Sequence, residues 1–257
     1  MKITILTLFP EMFKGFLESS IIKRALAKKA VEIDVVNIRD FTKDRYRRVD
    51  TPPVGGGAGL IMKCQPIIDA ISSVKKPSSQ VILLSPRGAT YNQKTAKKLA
   101  ISEALILICG HYEGIDERVN AYVDGMISIG DYILTGGEVA AMAITDSIVR
   151  LQKGAITNES LDEESFESGL LEYPQYTEPY DFNGQKVPDI LYSGNHAAIN
   201  KWRRKQALAL TRQHRLDLFK EIKLDKSDRK LLQELTDDET PKWEKNALEK
   251  GAKFIKK

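Results

Sequence analysis

Residues 104–120, ALILICGHYEGIDERVN, restrict the fold more than any other stretch of the chain. Ala104 to Cys109 is an unbroken apolar run of strand length, the pattern of a strand covered on both faces. A strand of that kind needs a layer packed on each side of its sheet. Similar strand candidates occur at Lys2 to Leu8, Glu32 to Ile38, Gln80 to Leu84 and Met126 to Leu134. Between them lie helical stretches near 11–29, 65–74 and 92–102, and a further helix from Glu138 to Leu151, rich in Val, Ala, Met and Ile. The alternation predicts an α/β domain with a mostly parallel sheet flanked by helices. In such open sheets ligands bind at the carboxyl ends of the strands, where the chain here turns abruptly polar and glycine-bracketed. A tight turn into a solvated helix start is the other reading of the same residues.

Composition removes several classes. The chain has 257 residues, room for one large domain or for one of about 150 residues with a smaller companion. No run of 18 apolar residues is present, and KITILTLF is too short and too soon followed by Pro10 and Glu11 to be a secretory segment. It reads as a first core strand, and the protein is expected to be cytoplasmic. Cys64 and Cys109 give no disulfide framework, and His111, His196 and His214 give no metal-ligand spacing. The net charge of +4 is mild, so affinity for nucleic acid must come from local patches.

Those patches are visible. Asn158 to Glu172 holds six acids and no base and reads as a solvated linker, which puts a domain boundary there. KWRRKQALALTRQHRLDLFK, residues 201–220, holds seven Lys or Arg and one acid on a helical pattern. It is either a solvated helix face or a phosphate-binding surface, and Trp202 within it either a core anchor or a base-stacking ring. Gly55, Gly56, Gly57 and Gly59 follow the basic stretch RDFTKDRYRRVD, as a surface loop or as a lid. No GxGxxG follows the first strand and no GxxxxGK[ST] occurs, so neither a Rossmann dinucleotide site nor a P-loop is supported.

Taken in order, TLFPEMF, RDFTKDR, GGGAG, LSPRG, CGHYEGIDERV, SIGDYILTGGE, GLLEYPQYTEP, VPDILYSGNH and KWR resemble the bacterial tRNA guanine-N1 methyltransferases of the SPOUT superfamily. The matching blocks run from Met1 to about Arg215. The resemblance implies a deep trefoil knot within a SPOUT domain over 1–157, an acidic linker over 158–172 and a small, mostly helical tRNA-binding domain over 173–257. It also implies a homodimer that uses S-adenosylmethionine, with magnesium as a further requirement, to methylate guanosine 37 of tRNA. Carried over by position, the cofactor contacts fall on Leu83, Leu84, Ser85 and Pro86; on Gly110, Tyr112 and Gly114; and on Ser128, Ile129, Gly130, Tyr132, Leu134, Gly136 and Gly137. Glu113 falls near the methyl donor and the base. If the basic run of 201–220 is the phosphate-binding surface, Arg203 and Arg204 within it are the residues expected to meet tRNA phosphates.

The reaction requires a base for the proton on guanine N1 and a cation for charge developing at O6. In the family these are a linker aspartate and an arginine on the helix after the glycine pair. They match Glu164 and Arg150. Glutamate at 164 is a departure that keeps the carboxylate and adds a methylene, and Asp162 and Glu163 compete with it. Glu178, where the family usually has arginine, and Ala58, where it usually has proline, are further departures. A related enzyme acting on a different RNA, and a non-catalytic RNA-binding module, are the alternatives.

Overall fold

The structure is a computed structural model that describes residues 1–156, 165–166, 168–237 and 239–251. The chain divides into two compact units, 1–158 and 159–257.

In the first unit the strands are β1 (Lys2–Thr7), β2 (Glu32–Asn37), β3 (Asp50–Thr51), β4 (Ile61–Met62), β5 (Ser79–Thr90), β6 (Ala104–Cys109) and β7 (Gly125–Ser128). The helices are α1 (Lys14–Leu17), α2 (Ser20–Ala27), α3 (Cys64–Val74), α4 (Gln93–Ala100) and α5 (Glu138–Val149). Five strands form one parallel sheet in the order β2-β1-β6-β5-β7. β6 lies in the middle, as its unbroken apolar run requires. Because side chains alternate along a strand, Leu105, Leu107 and Cys109 face α2, α4 and α5 through Ile22, Ala25, Leu99, Ala141, Ile144 and Ile148. Ile106 and Ile108 face α3 through Ile67, Ala70 and Ile71.

Three elements differ from the sequence pattern. The stretch 11–29 is not one helix but a 3-10 turn (Pro10–Phe13), α1 and α2, with Ser20 at φ +46 breaking the run. β7 ends at Ser128 rather than Leu134. There the Ser128 hydroxyl accepts from Gly130 N–H at 3.2 Å and donates to Gly130 O at 3.0 Å, and Gly130 stands at φ +149, turning the chain out of the sheet. β5 runs six residues beyond Leu84, and Ile127 of β7 pairs with both Leu84 and Ala89. Residues 85–88 therefore bulge away from β7, and Gly88 returns so closely that a Cβ there would lie 2.4 Å from Ile127 N.

The second unit holds helices His196–His214, Leu216–Glu221, Lys226–Gln233 and Lys242–Gly251 and a short hairpin, Asp181–Phe182 with Gln185–Lys186. The basic run forms two helices, parted at Arg215 (φ −137). Trp202 is a core anchor, buried with Ile190, Ala198 and Ala247. Leu170, at the end of the acidic stretch, is buried with Ala207, Leu208 and Leu231, so that end belongs to this unit's core. Much of the basic charge has partners inside the unit. Lys201 lies 4.4 Å from the Trp243 ring centre, Arg203 lies 4.7 Å from that of Tyr173, and buried Lys205 is within 4.0 Å of Glu234 and Glu244. Arg204 grips Asp228 through Nε and Nη2 at 2.9 and 2.8 Å.

The Arg204 guanidinium holds the buried Asp228 carboxyl below the ordinary carboxylate range. A depressed folded pKa contributes stability at neutral pH that fades as pH falls below about 4. Arg204→Ala leaves that carboxylate buried and unpaired. It should lower stability by on the order of 2 kcal/mol at pH 7 and by clearly less near pH 3, read by urea unfolding at the two pH values.

Candidate functional site

Where three adjacent strands of the parallel sheet end, their loops enclose a cavity of about 460 Å³. β5 supplies Leu83 and Leu84, and the bulge that follows them within it supplies Ser85, Pro86 and Arg87. The loop after β6 supplies Gly110 to Ile115, and the segment after β7 supplies Ser128, Ile129, Gly130 and Tyr132 to Gly137. Ile127, Ala140 and Asn120 complete the lining. Every residue expected from the resemblance to touch the cofactor lines this cavity, and so does Glu113. Arg150 caps the far end of α5 and is not among the lining residues. Glu164, with Asp162 and Glu163, lies outside the described residues. Arg203 and Arg204 belong to the second unit.

The walls are held by close backbone approach. Gly137 N–H donates to Gly110 O at 2.8 Å, and His111 and Gly136 form a bridge beside it. A Cβ on Gly137 would lie 2.7 Å from Cys109 Cα, so only glycine brings α5 this near to the end of β6. Directly behind, Glu138 is 2% exposed and accepts from the Thr7 hydroxyl at 2.8 Å, while that hydroxyl accepts from Phe9 N–H at 2.9 Å. One buried carboxylate thus joins the end of β1 to the start of α5. Burial, with Glu138 alongside, pushes the Cys109 thiol well above its usual range, which leaves it a packing residue with little thiolate character.

The His111 ring packs against Phe9 (centroids 4.8 Å apart) and edge-on to Tyr112 (5.2 Å), and its buried Nδ1 finds no hydrogen-bond partner among the described residues. Apolar walls from Leu84, Ile129 and Leu134, glycine backbone and an unpaired imidazole nitrogen suit a ligand with both a flat apolar part and polar edges. Glu113 sits at the mouth, exposed, with its side chain against Gly59 of the glycine-rich loop. That loop is anchored there: Glu113 N–H donates to Leu60 O at 3.1 Å, Met62 N–H to Gly114 O at 2.9 Å, and Asp116 N–H to Met62 O at 3.0 Å. Among the described residues no group of three or more His, Cys, Asp or Glu could hold a metal ion.

Arg87, His111 and Thr135 line the cavity without having been singled out from the sequence. His111 stands in the polar loop read after Cys109, and Arg87 and Thr135 stand within the LSPRG and SIGDYILTGGE motifs.

A parallel α/β unit with its ligand cavity at the carboxyl edge of the sheet, walled by glycine backbone instead of a phosphate loop, defines the class. Within it, the chain belongs to the family described as tRNA (Guanine-1)-methyltransferase TrmD, whose sequence model matches residues 1–221. Similar curated proteins, each called tRNA (guanine-N(1)-)-methyltransferase, include that of Dictyoglomus turgidum, 55% identical over 236 residues, 91% of this chain and 96% of that protein. That of Malacoplasma penetrans is 56% identical over 219 residues (85% and 97%), and one from Clostridium perfringens is 54% identical over 234 residues (90% and 99%).

The glycine contacts separate structural from ligand-facing roles. Gly137→Ala forces a Cβ into the backbone of β6, whereas a Cβ on Gly110 meets nothing nearer than 3.4 Å and Gly110 has an ordinary φ. Thermal melts should show Gly137→Ala lowered by several degrees and Gly110→Ala close to the parent protein.

Proposed function

We infer that the protein transfers a methyl group from S-adenosylmethionine to N1 of guanosine 37 in tRNA, beside the anticodon. Family membership carries the reaction. The observation that carries the site is the convergence of three strand-end loops on one cavity containing every expected cofactor contact. The fit is supported by the glycine wall at 110, 136 and 137, the apolar faces of Leu84, Ile129 and Leu134, and the unpaired His111 Nδ1. Bound there, S-adenosylmethionine supplies a sulfonium-activated methyl group.

The chain's own residues do the rest. Leu83 to Pro86, Ser128 to Gly130, Tyr132 and Leu134 would hold the cofactor. Gly110, Tyr112 and Gly114 give backbone access, and Glu113 stands at the mouth, where the guanine enters. Glu164 takes the N1 proton, and Arg150 stabilises negative charge shifting to O6.

The architecture we propose has 1–157 as the methyltransferase domain, 158–172 as the linker carrying the base and 173–257 as the tRNA-binding domain. In the first, the chain between β5 and α5 is threaded as a trefoil knot. The interrupted β5–β7 pairing and the return of Gly136 and Gly137 onto the loop after β6 support that reading. Arg204 engages Asp228 through one edge of its guanidinium and has its remaining donors for phosphate, and Arg203 serves beside it. The protein works as a homodimer in the cytoplasm. No described helix is long and apolar enough to cross a membrane.

Proton removal and charge stabilisation act chiefly in the transition state, so Glu164→Gln and Arg150→Ala should lower turnover on the order of a hundredfold or more. Cofactor affinity measured by calorimetry should stay within about threefold. Glu164→Asp should keep substantial activity. A fully active Glu164→Gln beside an inactive Asp162→Asn or Glu163→Gln would move the base along the linker.

A further inference from the structure

Residues 43–48, KDRYRR, hold four bases and one acid around a single aromatic residue, and the methyl-transfer site uses none of them. The structure holds Tyr46 72% exposed, with Arg48 and Arg45 guanidinium carbons 5.3 and 5.8 Å from its ring centre. An exposed tyrosine between two cations is by itself ordinary surface chemistry. What separates this one is the construction beneath it. Asp44 Oδ1 accepts from Tyr46 N–H at 2.8 Å and Arg48 N–H at 3.3 Å, and the Asp44 carboxylate also receives the Arg48 guanidinium at 3.0 to 3.2 Å. Arg47 adopts φ +58, unusual for a residue with a side chain, while its N–H donates to Asp44 O at 2.9 Å and its guanidinium meets Asp40. The turn is therefore fixed before any partner arrives, and what it presents is a largely exposed aromatic ring with two guanidiniums 5.3 and 5.8 Å from its centre.

Its position is as informative as its chemistry. Directly after the turn, Val49 O accepts from Lys63 N–H at 2.7 Å, and β3 pairs with β4 through Asp50 and Met62. Met62 in turn pairs with the loop of Gly114 and Ile115 at the cavity mouth. The base of the turn is thus two strand spacings, about 10 Å, from the loop that carries Glu113.

We propose that Tyr46, flanked by Arg45 and Arg48, is a stacking platform for a nucleobase adjacent to the guanine that is methylated. Stacking on a preformed aromatic face, with guanidiniums for the neighbouring phosphates, is how single-stranded RNA is held without reading base edges. The assignment rests on the tRNA methyl-transfer reading. It places a substrate contact in the first unit, apart from the basic helix of the second.

The test uses unmodified tRNA transcripts carrying 2-aminopurine singly at each nucleotide flanking the target guanosine, with the full-length protein and its Tyr46→Ala and Tyr46→Phe variants. The parent protein should change the fluorescence at one flanking position. Tyr46→Ala should abolish that change and raise KM for tRNA about tenfold or more, Tyr46→Phe should stay within about threefold of the parent, and cofactor affinity and melting temperature should be unchanged in both. Parent-like KM and fluorescence in Tyr46→Ala would overturn the platform while leaving methyl transfer intact. A fall in molecular mass of Tyr46→Ala by light scattering would assign the ring to contact with a second copy and overturn it too. A parent protein that methylates no tRNA is a different result and removes the underlying reading.

Discussion

The site depends on the contact between the end of β6 and the start of α5. Gly137 N–H donates to Gly110 O, and the absence of a side chain at 137 lets the helix start close against the Cys109 backbone. Glu138 locks that approach from behind by accepting from Thr7 at the end of β1. Three segments distant in sequence meet there, and the cavity is the space left in front of them. Relaxing the contact would widen the cavity and free α5, at whose far end Arg150 stands.

The sheet was readable because β1, β6 and the first half of β5 are buried on both faces, so their apolar runs carry no competing signal. The 126–134 stretch failed for a physical reason. Tyr132, Ile133 and Leu134 are exposed beyond the sheet, with Ile133 at 81%, and they line the cavity. Apolar residues kept at a ligand wall look, in sequence, like the continuation of a strand. The helix expected near 11–29 failed at Ser20, whose left-handed backbone no local pattern announces.

The site was legible at a different level. Periodicity could mark strand-end loops but could not say which of them meet, and the cofactor contacts came from the resemblance to a family. Glu138 was invisible because its partner, Thr7, is 131 residues away. The basic run read equally as a solvated face or a phosphate surface because charge runs do not reveal partners. Asp228, Glu234 and Glu244, which take up much of that charge, lie beyond the run itself. At Tyr46, too, the sequence showed only a basic stretch, whereas the turn is built around Asp44.

The first unit offers a cavity with a carboxylate at its mouth and an anchored glycine-rich loop beside it, and the second is a helical body with cations on its surface. The protein methylates guanine N1 in tRNA. The direct measurement is incubation of the purified protein with methyl-labelled S-adenosylmethionine and an unmodified tRNA transcript bearing guanosine at position 37, followed by nuclease digestion and mass spectrometry of the nucleosides. Labelled 1-methylguanosine in the fragment containing position 37, absent from a transcript with adenosine there, is the predicted result. Label in a different nucleoside, or equal label in both transcripts, would contradict it.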